Sequence, residues 1–294
     1  MPRIRPVDLM LSGVVVLWAL NVTLSKLILE HGFEPLVYSA LRYGAASAIF
    51  VGISRSVRLS RRQAWLVAVG AAALLYVNQV TFVYSLRLTT ASTVGLIFGA
   101  TPIATALIAF ALGLERPSRR FALATLVSLS GVALVAAGGG GGLSGDLGGD
   151  LLGICTAITW GAYSVAISVL MRDYSPIRIS AVVLPLMAVP IALTSLPQFR
   201  RMDFGAVEPW VWVLFALATL GPLVITNLLW FTALERVGPS HATLFNNFQP
   251  FIAVLFAVVL LSESLELVQV AGGILIGVGV VLAWRRQAAA VAVE

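Results

Sequence analysis

Residues 76–115 read YVNQVTFVYSLRLTTASTVGLIFGATPIATALIAFALGLE, and the pattern they carry occurs twice in the chain. Asn78, Phe82 and Arg87 recur as Asn227, Phe231 and Arg236 at the same spacing; Pro102 and Glu115, thirteen apart, recur as Pro250 and Glu263. Gly131 follows the first Glu by sixteen residues, and Gly279 follows the second by sixteen. Each copy is a pair of long apolar runs joined by a short turn. Working outward, the doubling reaches the start of each copy. Asp8 precedes Trp18 by ten residues and Asp150 precedes Trp160 by ten, while Pro35 and Pro176 open the next run in each half. Duplicated apolar helices carrying Asn, Gln, Trp and Pro at mid-depth point to a polytopic membrane protein built from two related bundles.

Composition agrees. Of 294 residues, 59% are hydrophobic and 11% charged, against about 25% charged in a soluble domain. Mean hydropathy is +0.97. A soluble fold has too little polar surface to cover so much apolar side chain, so the solvent is lipid. Runs of about 20 apolar residues give ten expected spans. In the first half they are Asp8–Leu29, Pro35–Ile53, Ala64–Leu86, Thr90–Leu112 and Phe121–Ala137. The second half contributes Asp150–Met171, Pro176–Leu196, Trp210–Leu234, Ala242–Leu261 and Leu267–Trp284. Between the halves, Gly138–Gly149 contains five consecutive glycines and reads as a flexible linker. The runs are continuous rather than alternating, which argues against a β-barrel. The first run lacks a small-x-small cleavage pattern and carries Asn21 and Lys26, so it reads as an uncleaved helix rather than a signal peptide. The expected fold is all-α: ten transmembrane helices forming two inverted five-helix repeats, residues 1–137 and 150–287, around a central cavity, with a tail over 288–294.

The net charge of +6 does not call for nucleic acid, because the basic residues sit in short clusters between apolar runs. With the N-terminus in the cytoplasm, fourteen arginines fall inside: Arg3, Arg5, Arg55, Arg58, Arg61, Arg62, Arg116, Arg119, Arg120, Arg172, Arg178, Arg236, Arg285 and Arg286. Three, Arg87, Arg200 and Arg201, fall outside. That asymmetry puts both termini in the cytoplasm. Five spans per half is an odd number, so the second repeat enters from the opposite face, the arrangement that suits alternating access. Cys155 is the sole cysteine, which excludes a disulfide within the chain and a cysteine-based metal site. No cofactor is expected. The partners expected are a small-molecule substrate and the bilayer, with no nucleic acid; the oligomeric state is left open, a monomer being plausible.

Tryptophan prefers the headgroup interface, so Trp18 and Trp160, each near the centre of its span, are candidates for a cavity wall or for gap-filling. Asn21 and Tyr163 lie one turn beyond them on the same faces. Tyr76 and Gln79 share one stripe of the third span with Val83; Asn78, Phe82 and Ser85 share another. One stripe faces the cavity while the other bonds a neighbouring helix. Tyr76 and Gln79 are taken as substrate contacts, Asn78 and Asn227 as structural. Trp230, Asn246 and Gln249 join the substrate set. Pro102 and Pro250 each remove a backbone donor, freeing the carbonyls of Phe98 and Asn246 and predicting kinks near the cavity. Lys26 lies three residues before the end of the first span and Arg42 seven into the second. Lys26 is expected to reach outward to water. Arg42 is expected to meet a substrate carboxylate or to pair with Glu30 or Glu34. Glu115 and Glu263 are taken as structural, pairing with or capping the next helix. Gly95-x-x-x-Gly99 and Gly273-x-x-x-Gly277 predict close helix crossings.

The doubled pattern, with a Pro in the fourth span, a Glu thirteen residues on and a Gly in the fifth, resembles the EamA-type members of the drug/metabolite transporter superfamily. The Trp18–Asn21 opening and the mid-depth aromatics resemble most its YddG branch, the aromatic amino-acid exporters. The resemblance implies a transporter of the cell inner membrane, not an enzyme, that exports small metabolites of aromatic or apolar amino-acid type. No carboxylate lies at mid-span, which favours downhill transport, or coupling through something else, over a buried carboxylate relay. Two rivals remain at this level. A sugar-phosphate or nucleotide-sugar carrier would call for several mid-depth cations, and a membrane sensor would use the same helices without transport.

Overall fold

The computed structural model describes residues 6–113, 119–137, 147–230, 232–233, 245 and 248–291, and among them there is no strand. The helices run α1 (Pro6–Glu30), α2 (Pro35–Ile53), α3 (Arg62–Leu88), α4 (Ala91–Phe98), α5 (Thr101–Ala111) and α6 (Arg119–Ala137) in the first half. In the second half come α7 (Leu147–Leu170), α8 (Pro176–Phe199), α9 (Pro209–Thr219), a π-helical segment Leu220–Ile225, α10 (Gln249–Leu261) and α11 (Leu267–Val291). Pro35, Pro176 and Pro209 sit in the first turns of α2, α8 and α9, where the missing N–H costs nothing and the fixed φ suits helix initiation.

Among the described residues, six helices are long and apolar enough to cross a bilayer: Pro6–Glu30, Pro35–Ile53, Arg62–Leu88, Leu147–Leu170, Pro176–Phe199 and Pro209–Trp230. α4 and α5 make a seventh if taken together, bent by 42° at Gly99–Ala100. The polarity of the fold is reversed relative to a soluble protein. Leu123 and Leu193 stand 60% and 62% exposed while Asn78, Gln79, Ser85 and Arg42 are buried. Apolar side chains outside and hydrogen-bonded polar ones inside are what a lipid solvent selects.

Three pairings organise the bundle: α2 against α8, α3 antiparallel against α7, and α6 against α11. The last is a backbone-to-backbone contact. A Cβ on Gly131 would lie 2.6 Å from the Gly272 carbonyl, and one on Gly272 would lie 2.7 Å from the Gly131 carbonyl. Lower down the same seam, a Cβ on Gly279 would meet the Ala124 carbonyl at 2.7 Å. The predicted crossings at Gly95 and Gly273 are present but milder, against Ala253 at 3.0 Å and Leu96 at 2.8 Å.

The kink expected at Pro102 is present, as a break between α4 and α5 rather than a bend within one helix. Pro102 occupies the first turn of α5, and Pro250 likewise occupies the first turn of α10. The physical reason is the one that serves α2: a proline is tolerated where no intrahelical donor is required, so the chain breaks just before it and starts again. The 42° bend is that break.

Candidate functional site

Pro222 has no N–H, so the carbonyl of Ala218, four residues earlier, loses its α-helical partner. The helix answers by widening into the π segment Leu220–Ile225, and Arg42 takes the orphaned carbonyl. Its Nη2 donates to the Ala218 oxygen at 2.8 Å and to Asn21 Oδ1 at 2.8 Å. The guanidinium carbon lies 5.0 Å from the centre of the Tyr38 ring, and the Tyr38 hydroxyl shares a 2.7 Å hydrogen bond with Ser25. Arg42 thereby ties α1, α2 and α9 together at one depth.

The expected pairing of Arg42 with Glu30 or Glu34 is not what forms. Glu30 pairs with Lys26 at 3.3 Å and Glu34 with Arg87 at 3.2 Å. Arg42 is 3% exposed and has no carboxylate within ion-pair distance among the described residues. Its Nε is buried with no hydrogen-bond partner, as are Ser39 Oγ one turn away on α2 and Thr23 Oγ1 on α1. Buried donors of this kind are almost always satisfied, and a desolvated guanidinium most of all. Chemically, the arrangement is a cation with an unused donor edge, the complement of a carboxylate.

Lys26 keeps a little exposure, 14% at its side chain, beside the half-exposed Glu30. It donates to the carbonyls of Leu86 and Thr89 at 2.7 and 3.0 Å, capping the C-terminus of α3. Open carbonyls and the negative end of the helix dipole make that a better partner than a snorkelled position.

The aromatic candidates fall into two groups. Trp18 and Trp230 meet at 5.2 Å between ring centres, and Trp230 packs on Val7, Leu11 and Ala233. Trp160 meets Tyr163 at 5.4 Å between ring centres with the rings tilted by 40°, and Tyr163 and Tyr76 both lie against the core shared by α2, α3, α7 and α8. Trp160 itself is 39% exposed. Trp18 and Trp160, equivalent in sequence, therefore have different surroundings.

The amides of α3 are joined rather than divided between stripes. Asn78 donates to the Thr156 carbonyl at 2.9 Å and to Thr159 Oγ1 at 3.4 Å, while Gln79 donates to Asn78 Oδ1 at 2.9 Å. Thr156 in turn donates to Thr81 at 2.8 Å. This seam continues to the end of the pair, where Ser85 donates to the Gly149 carbonyl at 2.7 Å and Thr89 to Asp150 at 2.8 Å. Asn227 behaves differently from its counterpart and from expectation. It donates to Leu223 on its own helix at 2.6 Å, because the π segment leaves carbonyls there to be satisfied. Gln249 is half-buried at the head of α10. Asn246, like Glu115, lies outside the described residues.

Glu263 caps a helix, but not the next one. Its two oxygens accept from the backbone N–H groups of Ala91 and Ser92, each at 2.8 Å, at the N-terminus of α4 in the other half of the chain. Gln269 reinforces the join by donating to Thr93 Oγ1 at 3.0 Å. α4 and α10 are in contact, so the carboxylate lies within reach of both, and a helix N-terminus is a ready anion site. Only their adjacency, which sequence spacing does not encode, decides which helix is capped.

The chain is similar to proteins already described. A family model for EamA-like transporters matches it twice, over residues 5–137 and 147–285. The uncharacterized transporter YyaM of Bacillus subtilis (strain 168) is 24% identical over 94% of this chain and 92% of its own length. A second uncharacterized transporter from the same organism, YetK, is 23% identical over 86% of this chain and 78% of its own. A protein of known crystal structure, 22% identical, shares the fold with a TM-score of 0.64 over 96% of this chain and 98% of that one. The two matches of the family model leave little of the chain outside them: it belongs to the EamA-like transporter family and is a multi-pass membrane transporter of small molecules, not an enzyme.

Proposed function

We propose that the protein exports amino acids with aromatic or other apolar side chains across the cell inner membrane, downhill, by alternating access, as the YddG-type resemblance implies. The observation that carries the reading is the desolvated Arg42, unpaired with any carboxylate among the described residues and left with an unpartnered Nε. A substrate carboxylate on the free edge of that guanidinium would supply the missing counter-charge. The Trp18–Trp230 pair and Asn21, one turn from Trp18 on α1, offer an apolar wall and an amide beside it. The sugar-phosphate alternative is disfavoured because the second cation, Lys26, is committed to the end of α3.

The transport scheme needs ten spans in two inverted repeats with both termini in the cytoplasm. Support comes from the three shorter apolar helices, Ala122–Ala137, Gln249–Leu261 and Leu267–Leu282, which join the seven longer or broken spans. It comes too from α2 against α8 and α6 against α11, pairs that hold equivalent places in the two halves. A two-fold relation between repeats brings equivalent helices together in that way.

The test is efflux of labelled phenylalanine from proteoliposomes, alongside phenethylamine, which keeps the ring and lacks the carboxylate. Wild type is expected to carry phenylalanine in preference, and Arg42→Gln to lose that preference. If wild type carries both equally, Arg42 does not read a carboxylate, and if it carries neither, the substrate class is wrong.

A further inference from the structure

The first turns of α3 and the end of α7 border an open cleft of about 620 Å³ that shares no lining residue with the Arg42 site. Its lining combines Arg61, Arg172, Asp173 and Gln63 with the apolar Leu66, Val67 and Val169. Arg61 is held by Asp173 at 3.3 Å, whereas Arg172 has no carboxylate within ion-pair distance among the described residues. The cleft thus carries one more cation than its own lining neutralises.

Its shape is held by cross-links between the loops that border it. The Tyr174 hydroxyl bonds Ser60 Oγ at 2.8 Å and accepts from the Ser60 backbone N–H at 3.0 Å, and Arg178 donates to Ser56 at 3.2 Å. Its depth is marked by Trp65, next to Leu66 on α3, which is 38% exposed and donates its indole N–H to the Leu59 carbonyl at 3.1 Å. Half-exposed tryptophans at the head of a membrane helix mark the headgroup level. Leu66, 64% exposed, begins the apolar wall that continues along α3. A free phosphate would use the arginines and leave the wall bare. An uncharged lipid would use the wall and leave Arg172 unmatched.

We propose that this cleft holds an anionic phospholipid, its phosphate against Arg172 and Arg61 and one acyl chain along Leu66 and Val169. Basic pockets between membrane helices recognise such headgroups by the same chemistry. The proposal is independent of what the protein transports.

The experiment is native mass spectrometry of the full chain titrated with dioleoylphosphatidylglycerol or dioleoylphosphatidylcholine. Wild type is expected to retain one phosphatidylglycerol in preference to phosphatidylcholine. Arg172→Gln should weaken that binding about fivefold, the gain expected of one basic residue at an anionic surface, and the Arg61→Gln, Arg172→Gln double variant should weaken it further. Arg172→Lys, which keeps the charge, should bind nearly as wild type, so that a loss in the Gln variant reports charge rather than folding. Arg200→Gln with Arg201→Gln removes as much charge from another loop and should change nothing. Equal retention of the two lipids, or binding unaltered in the double variant, overturns the proposal. So does displacement of phosphatidylglycerol by millimolar inorganic phosphate, which would make the cleft a small-anion site.

Discussion

Replacing Glu263 with Ala should loosen the join between the two halves of the chain without touching the buried arginine. The carboxylate accepts two backbone hydrogen bonds of 2.8 Å from the N-terminus of α4. A hydrogen bond to a charged group contributes about 1.5–3 kcal/mol when buried. Glu263 is half-buried, so water can replace it in the variant, and the loss falls towards the about 0.5–2 kcal/mol measured for a single N-cap. With two N–H groups deprived at once, about 1–3 kcal/mol is expected. For a chain of this size that is roughly 2–6 °C in melting temperature. Intrinsic tryptophan fluorescence of the detergent-purified protein would read it. Glu263→Gln turns one accepting oxygen into a donor facing an N–H, so it should lose at least half as much. Glu266→Ala, three residues on, removes the same charge and should stay within about 0.5 kcal/mol, since only the backbone N–H of Glu266 bonds Gln269. A Glu263→Ala variant that melts with wild type would refute the capping role.

Further outcomes follow from the same geometry. Gly272→Val must push its side chain into the Gly131 carbonyl, 2.7 Å from the first added carbon. Overpacking of that kind costs about 1–3 kcal/mol, and a lowered melting point, reproduced by Gly131→Val, would show it. Asn78→Ala should destabilise more than Asn227→Ala, because Asn78 bonds across to α7 while Asn227 bonds its own helix. The difference is about 0.6 kcal/mol or more on the scale of interhelical bonds in membranes, checked by paired melts. Trp18→Ala should slow phenylalanine efflux in proteoliposomes more than Trp160→Ala, since Trp18, on α1 with Asn21, faces Trp230, whereas Trp160 is 39% exposed. Equal effects would return Trp160 to the substrate wall.

The residues alone singled out candidates without placing them. Arg42, Asn21, Trp18 and Trp230 each stood out because a polar or interfacial side chain inside an apolar run is costly and needs a reason. What could not be read was which partner each would find. Pro222 offered a signal, since a proline inside a span frees the carbonyl four residues back, but its consumer, Arg42, lies 176 residues away. Glu263 carried a similar message: spacing marked it as a cap, and only the proximity of α4 and α10 said of what.

The sequence by itself determined the lipid solvent, the helical class and the doubling, because all three reside in composition, period and spacing along the chain. Tertiary structure alone decided the arginine's partners, the cross-half cap, the glycine seam between α6 and α11, and the unequal surroundings of Trp18 and Trp160. Those depend on which helix faces are brought together, and a pattern repeated along one chain does not fix what each copy touches when the two copies pack on different neighbours.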